Sequence, residues 1–109
     1  MSRLNHTLGA IADETRRAML ERLRSGERSI SELAEPHAMT LSGALKHIRI
    51  LEDAGLLRSE KRGRVVWCRL SPEPLKRVAD WVSRYEAFWD EQLESLDAHL
   101  SKPASEEPR

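Results

Sequence analysis

The chain has 109 residues, with 18 basic and 18 acidic side chains, 39% hydrophobic residues, one cysteine and three tryptophans. This length is enough for one small domain with a single core. One cysteine cannot form an internal disulfide, and without a Cys-x-x-Cys pair a thiolate metal site is disfavoured. No segment approaches the roughly 18 apolar residues of a membrane span, and the first residues lack the apolar run of a signal peptide. We therefore expect a cytoplasmic protein.

The charge sums to zero but is distributed unevenly along the chain. Residues 40–70 contain seven basic and three acidic residues, whereas residues 80–109 contain three basic and eight acidic residues. A polyanion would be attracted to the first segment and repelled by the second. An ordinary solvated surface would explain the same numbers, so the position of these residues in the fold has to decide between the two interpretations.

Apolar spacing and capping residues predict three short helices before residue 40. The first spans 4–12. The second begins after an N-cap at Asp13 and ends by Gly26. The third begins at the capping box of Ser29 and is kept short by Pro36. The inward-facing residues of the second and third helices are predicted to be Ala18, Met19, Leu20, Leu23, Leu33 and Ala34.

A fourth helix is predicted from an N-cap at Thr40 to about Ala54, with Gly55 closing it. At 100° per residue its apolar face consists of Leu41, Ala44, Ile48 and Leu51. The residues that point away from this face are Ser42, Lys46, Arg49 and Asp53. Leu45 and His47 flank the apolar face, and we expect Ile50 to lie under the strand that follows.

The remainder of the chain predicts a β-hairpin and one long helix. The hairpin pairs 57–62 with 64–70 and turns at Gly63, and its second strand is rich in β-branched and aromatic residues. The helix spans about 73–100, with apolar residues at steps of three and four, and 101–109 is predicted to be disordered. The fold class is therefore mainly α with a small β-hairpin. About five helices and a two-stranded wing form one winged helix-turn-helix domain over 1–100.

Two segments then carry a resemblance to a known family. ADETRRAMLERLRSGERSISELAE and MTLSGALKHIRILEDAGLLRSEKRGRVVWCRL resemble the winged helix repressors of the ArsR/SmtB type, most specifically in KHIRILEDAGLL and the RGR turn. The resemblance covers roughly residues 4–100. It implies a homodimer that binds operator DNA and that represses transcription until a signal relieves it.

The resemblance also implies which residues contact DNA. On the recognition helix they are Thr40, Ser42, Gly43, Lys46, His47 and Arg49; on the wing they are Lys61, Arg62, Gly63 and Arg64. Hydroxyl and basic side chains at these positions suit base edges or phosphates, and Leu45, where the family commonly has Ser, can contact a thymine methyl. A solvated helix face and a solubilising turn remain alternatives, as does a packing role for His47.

The last helix carries more aromatic area than one small core should absorb, which predicts a dimer interface. The family implies that the first helix joins it. The predicted interface residues are Leu4, Leu8, Ile11, Trp81, Tyr85, Phe88, Trp89, Leu93 and Leu96.

We predict no metal and no cofactor. The family's Cys-x-Cys metal motif is replaced here by residues 31–35, which contain no cysteine, and Asp97-x-His99 resembles only half of a second family site. Cys68 is expected to be a buried apolar residue rather than a redox sensor. Three alternatives stay open: a redox-responsive regulator, a ligand-responsive regulator, and an interaction module without DNA binding. An enzyme is disfavoured because Ser42 and His47 lie about 140° apart around their helix.

Overall fold

The computed structural model describes residues 2–100, without the side chains of residues 95 and 98–100. The predicted disordered tail lies outside this range. The helices are α1 (Arg3–Ala10), α2 (Glu14–Leu23), α3 (Ile30–Ala34), α4 (Leu41–Asp53), α5 (Glu73–Ser83) and α6 (Glu86–Leu100). The strands are β1 (Arg28–Ser29), β2 (Leu57–Arg62) and β3 (Val65–Leu70). Among residues 2–100, those up to Val78 form one compact unit and those from Ala79 form a second. None of the described helices is long and apolar enough to cross a membrane.

The predicted N-caps are all present, and they fix where the helices begin. Asp13 accepts a hydrogen bond from the Arg16 amide at 3.0 Å, and this bond is the main reason why the pKa of Asp13 lies below its usual value. The Ser29 side chain accepts from the Glu32 amide at 3.1 Å while the Glu32 carboxylate accepts from the Ser29 amide at 2.8 Å, which completes the capping box. Pro36 lies in a 3-10 helix, Glu35–His37, so α3 has only five residues.

The hairpin forms as predicted but belongs to a three-stranded antiparallel sheet with the order β1-β3-β2. β2 and β3 pair from Leu57↔Leu70 to Arg62↔Val65. The two-residue connection has a positive φ at Gly63 (66°) but not at Arg64, as in a type II′ turn. The prediction missed β1, because two residues directly before a capping box are too few to show a period of two.

The core lies in the first unit, between α2, α3, α4 and the sheet. Its fully buried large side chains are Met19, Leu33, Ile48, Leu51, Leu56, Leu57, Thr7 and Cys68. Two predictions on α4 are wrong. Leu41 is 55% exposed because the helix begins outside the core, so that its first turn borders a groove. Ile50 is 40% exposed. After α4 the chain turns back beside Leu51, whose carbonyl accepts from the Leu56 amide at 2.9 Å, so the following strand covers Leu51 and not Ile50.

The predicted last helix is two helices, α5 and α6, which makes six helices rather than about five. At the break the amides of Arg84 and Tyr85 donate to carbonyls three residues earlier, at 3.2 and 2.9 Å. The Ser83 hydroxyl also donates to the Asp80 carbonyl at 2.7 Å, in competition with the regular helical pattern. The apolar spacing continues across the break, so periodicity could not reveal it.

Candidate nucleic-acid interface

The outward side of α4 carries polar and basic side chains on a firmly held helix. Ala44, Ile48 and Leu51 are buried and fix the opposite side in the core. Ser42, Lys46 and Arg49 are exposed, and neither cation has an ion-pair partner among residues 2–100. The core therefore sets the direction of these side chains while their polar ends remain available.

Thr40 and Gly43 form the cap of α4. The Thr40 hydroxyl oxygen accepts from the Gly43 amide at 3.0 Å, so only its hydroxyl hydrogen and a second lone pair remain for another partner. A Cβ atom at Gly43 would lie 3.4 Å from that same oxygen. Both residues thus have a local structural role in addition to the one predicted for them.

His47 lies on the side of α4 that faces α2, where it contacts Arg16. The Arg16 guanidinium approaches the His47 Nδ1 atom at 3.1 Å and donates to the carbonyls of Ala10 (2.7 Å) and Gly9 (3.3 Å). Because a guanidinium can only donate, this contact fits the tautomer in which Nδ1 accepts and Nε2 carries the hydrogen. Asp13 lies 3.9 Å from the same Nδ1 atom.

Arg16 thus joins the end of α1 to α4, a role that the sequence analysis missed. Its neighbour Arg17 donates to the carbonyl of Ile11, the C-cap residue of α1, at 2.9 Å. The only signal in the sequence was the ADETRR motif, which gives no direction for either side chain.

The basic residues of the wing differ in their surroundings. Arg62 forms an ion pair with Glu27 at 2.6 Å, and its guanidinium carbon lies 5.3 Å from the centre of the Trp67 ring. Lys61 and Arg64 are exposed and have no ion-pair partner within residues 2–100. Lys61 and Arg62 also point to opposite sides of the hairpin, since successive residues of a strand alternate.

The predicted interface residues fall into two groups. In the second unit they are exposed, and Trp81, Tyr85 and Trp89 form a row with ring centroids 5.6 and 6.4 Å apart. Phe88, Leu93 and Leu96 are more than half exposed. On α1 and its C-cap, Leu4, Leu8 and Ile11 are partly buried, and Ile11 packs against the core of its own unit.

Cys68 is fully buried in β3, as predicted. Desolvation, with a smaller contribution from the negative charge of Glu52, raises the pKa of its thiol to about 11. The residues described include no group of three or more His, Cys, Asp or Glu side chains that could hold a metal ion. The side chain of His99 lies outside the described set, so the Asp97-x-His99 motif receives no structural account.

Comparison with known proteins identifies the family. A model described as a helix-turn-helix domain matches residues 11–60. The crystal structure of the ArsR family transcriptional regulator RHA00566 is 43% identical, covers 81% of this chain and 91% of its own, and superposes with a TM-score of 0.75. The HTH-type transcriptional regulator Rv2034 of Mycobacterium tuberculosis is 31% identical over 84 residues, which are 77% of this chain and 76% of that protein. This chain belongs to the ArsR family of transcriptional regulators.

Two further members of this set carry more specific descriptions. The transcriptional repressor SdpR of Bacillus subtilis is 24% identical over 90 residues, which cover 83% of this chain and all of SdpR. The Mycobacterium bovis protein Mb0332, studied by NMR, is described as a homodimeric winged helix-turn-helix DNA-binding domain and possible ArsR-family regulator. It is 26% identical, covers 85% of this chain and 83% of its own, and has a TM-score of 0.63. The predictions of family, winged helix fold and regulatory class are confirmed, and these relatives are regulators rather than enzymes.

Proposed function

We propose that this ArsR family member is a cytoplasmic, homodimeric repressor that binds a specific DNA operator. In this proposal α4 enters the major groove and the wing, residues 58–70, contacts the backbone or the minor groove. The observation that carries it is the pair of exposed cations, Lys46 and Arg49, without an ion-pair partner among residues 2–100 and on the outward side of a helix whose other side is fixed in the core. Rigid presentation of this kind is what base readout requires.

On α4, Lys46 and Arg49 contact guanine acceptors or phosphates. The hydroxyl groups of Ser42 and Thr40 donate hydrogen bonds to base edges or phosphates. Gly43 allows the backbone to approach the duplex closely and keeps the cap intact. His47 has its Nε2–H left for a phosphate, because Nδ1 is occupied by Arg16. Leu45 contacts a thymine methyl.

On the wing, Gly63 provides the tight turn and Arg64 and Lys61 supply charge to phosphates. Arg62 can also contribute, but only by leaving or sharing its contact with Glu27. Unequal contributions from the three cations are therefore expected, although all lie within four residues of one another.

The dimer in this proposal forms through the exposed aromatic row of the second unit. Trp81, Tyr85, Phe88 and Trp89 are each more than a third exposed, and a cluster of exposed aromatic side chains favours association. Leu93 and Leu96 extend it, and Leu4, Leu8 and Ile11 contribute their partly exposed surfaces. The homodimeric description of the relative Mb0332 supports this assignment. A dimer places two recognition helices on half-sites about one helical turn apart.

The alternative with a specific observation against it is a regulator that responds to thiol oxidants. A reactive cysteine is exposed and has a lowered pKa, whereas Cys68 is buried and its pKa is about 11. An interaction module without DNA binding would not require Lys46 and Arg49 to remain exposed on one side of α4.

The double variant Lys46→Ala/Arg49→Ala tests the proposal. We expect specific operator affinity to fall by about a hundredfold or more, since each good basic contact to a base is worth about 1–3 kcal/mol. Circular dichroism and sedimentation should show an unchanged fold and dimer, because both side chains are exposed. The matched control is Arg24→Ala/Lys76→Ala, which removes the same charge from two other exposed positions. Equal affinities for the two double variants would refute the assignment of α4.

A further inference from the structure

A groove of about 400 Å³ lies between the first turns of α4 and the tip of the wing. Its walls are Leu41 and Leu45 of α4, Val65 and Val66 of β3, Arg64 at the turn, and residues 29–31. Leu41 and Leu45 are four residues apart and so lie next to each other on the helix. The groove thus combines an apolar lining with one cation at its edge.

The apolar lining is exposed to an unusual degree for its position. Leu41 is 55% exposed and Val65 is 40% exposed. A single exposed apolar side chain needs no explanation, but here two of them line the same concave surface. None of the described residues that line the groove is acidic.

The charge around the groove favours a polyanion as its occupant. Arg64 lines it, Lys46 follows Leu45 directly, and neither cation has an ion-pair partner in the described part of the chain. A duplex presents phosphates together with one apolar group in its major groove, the C5 methyl of thymine. The first residues of a recognition helix also lie nearest the base edges, and Leu41 is the first residue of α4.

We propose that Leu41 joins Leu45 in recognising thymine methyl groups, so that a high-affinity operator has thymine under the first turns of α4. This inference rests on the proposed function and specifies what the same site reads. It assigns a specificity role to Leu41, a residue that the apolar pattern of the helix places in the core.

Replacement of thymine by deoxyuridine tests the inference, because deoxyuridine lacks only the methyl group. The full-length protein is first used to select duplexes from a random-sequence library. The best duplex is then synthesised with deoxyuridine at one thymine position at a time, and its affinity is measured by fluorescence anisotropy. We expect at least one position where the loss is about fourfold, the effect of burying one methyl group.

The variants Leu41→Ala and Leu45→Ala should weaken binding to the thymine duplex and abolish the difference between thymine and deoxyuridine at that position. The matched control is Ile50→Ala, which removes an exposed apolar side chain from the same helix outside the groove. It should retain the full discrimination. Thermal melting of each variant confirms that it is folded.

Several results would overturn the inference. They are equal affinity for deoxyuridine at every position, a selected site without thymine, or discrimination that survives both leucine substitutions. A change from dimer to monomer in Leu41→Ala would instead assign the groove to a second copy of the chain. Failure to select any duplex would refute the proposed function itself, whereas selection of a duplex that is indifferent to thymine methyls would refute only this inference.

Discussion

The basic side chains of the candidate interface are equal in charge but not in availability. Arg62 is held by Glu27 at 2.6 Å and by the face of Trp67, while Arg64, two residues later, has no ion-pair partner in the described region. An exposed ion pair of this kind contributes little to stability. In the proposed complex its effect is on binding, because a phosphate would have to compete with Glu27 for the guanidinium.

We therefore expect Arg64→Ala to lower DNA affinity on all sequences alike and to reduce the slope of log affinity against log salt by about one. Glu27→Gln should have the opposite effect, since it releases Arg62 and removes a negative charge near the duplex. Both slopes are measured by anisotropy titrations at several salt concentrations. An unchanged slope in Arg64→Ala would contradict the role of the wing.

Cys68 should be inert in the folded protein. Burial raises the pKa of its thiol from 9.0 to about 11, so very little thiolate exists at pH 7.5. Native protein should react with Ellman's reagent far more slowly than protein unfolded in guanidinium, and peroxide should leave DNA binding unchanged. Rapid native labelling, or loss of binding upon oxidation, would favour the redox-responsive alternative.

The same pKa shift has a consequence for stability. The neutral thiol is favoured in the folded state, so its contribution is complete below pH 9 and is lost as the pH rises from 9 towards 11. Cys68→Ala should lack this part of the alkaline decline in unfolding free energy. Urea titrations of both proteins between pH 8 and 10.5 measure the difference.

At the scale of elements, most of the chain was predictable because its signals are local. Asp13, Ser29 and Thr40 cap helices by accepting hydrogen bonds from amides three residues away. The hairpin turn needs a positive φ, which Gly63 provides. What could not be predicted depends on neighbours distant in sequence. Leu41 fits the apolar face of α4 by periodicity, but no packed neighbour covers the first turn.

The link through Arg16 is the clearest case of such a non-local feature. Its guanidinium contacts two carbonyls near the end of α1 and a ring on α4 that lies 31 residues away in sequence. One side chain thereby links the end of α1 to α4. The motif letters alone contain no information on these contacts.

We expect Arg16→Ala to lower the free energy of unfolding by about 1–3 kcal/mol, because it removes charged hydrogen bonds to partly buried acceptors. Arg16→Lys should not restore the lost stability, because an ammonium group lacks the planar guanidinium that donates to several acceptors at once. Urea unfolding measures the effect. The control is Arg17→Ala, which removes one exposed hydrogen bond and should cost less; an equal loss in both variants would contradict the bridging role.

Across the whole molecule, basic and acidic residues are concentrated in different parts of the chain. Residues 40–70 are basic and contain α4 and the wing, whereas residues 80–109 are acidic and contain the exposed aromatic row. An acidic segment disfavours contact with DNA, so its apolar surface is better suited to a second copy of the chain.

Trp89→Ala should therefore shift the protein towards monomer. Loss of a buried tryptophan costs about 3 kcal/mol or more, which weakens the dimer by at least about a hundredfold. Sedimentation velocity over a range of concentrations measures this shift. Trp67→Ala, which removes the tryptophan of the wing, is the control and should remain dimeric. A Trp89→Ala dimer as tight as that of the unsubstituted protein would exclude α6 as the interface.

Operator binding by this protein can be measured in a single titration. A labelled duplex from the region upstream of the protein's own gene is titrated beside a scrambled duplex, by fluorescence anisotropy at several salt concentrations, with and without zinc. We expect tight binding to the native duplex alone, a steep decrease with salt, and no effect of zinc. The absence of binding to either duplex, even at low salt, would contradict this expectation.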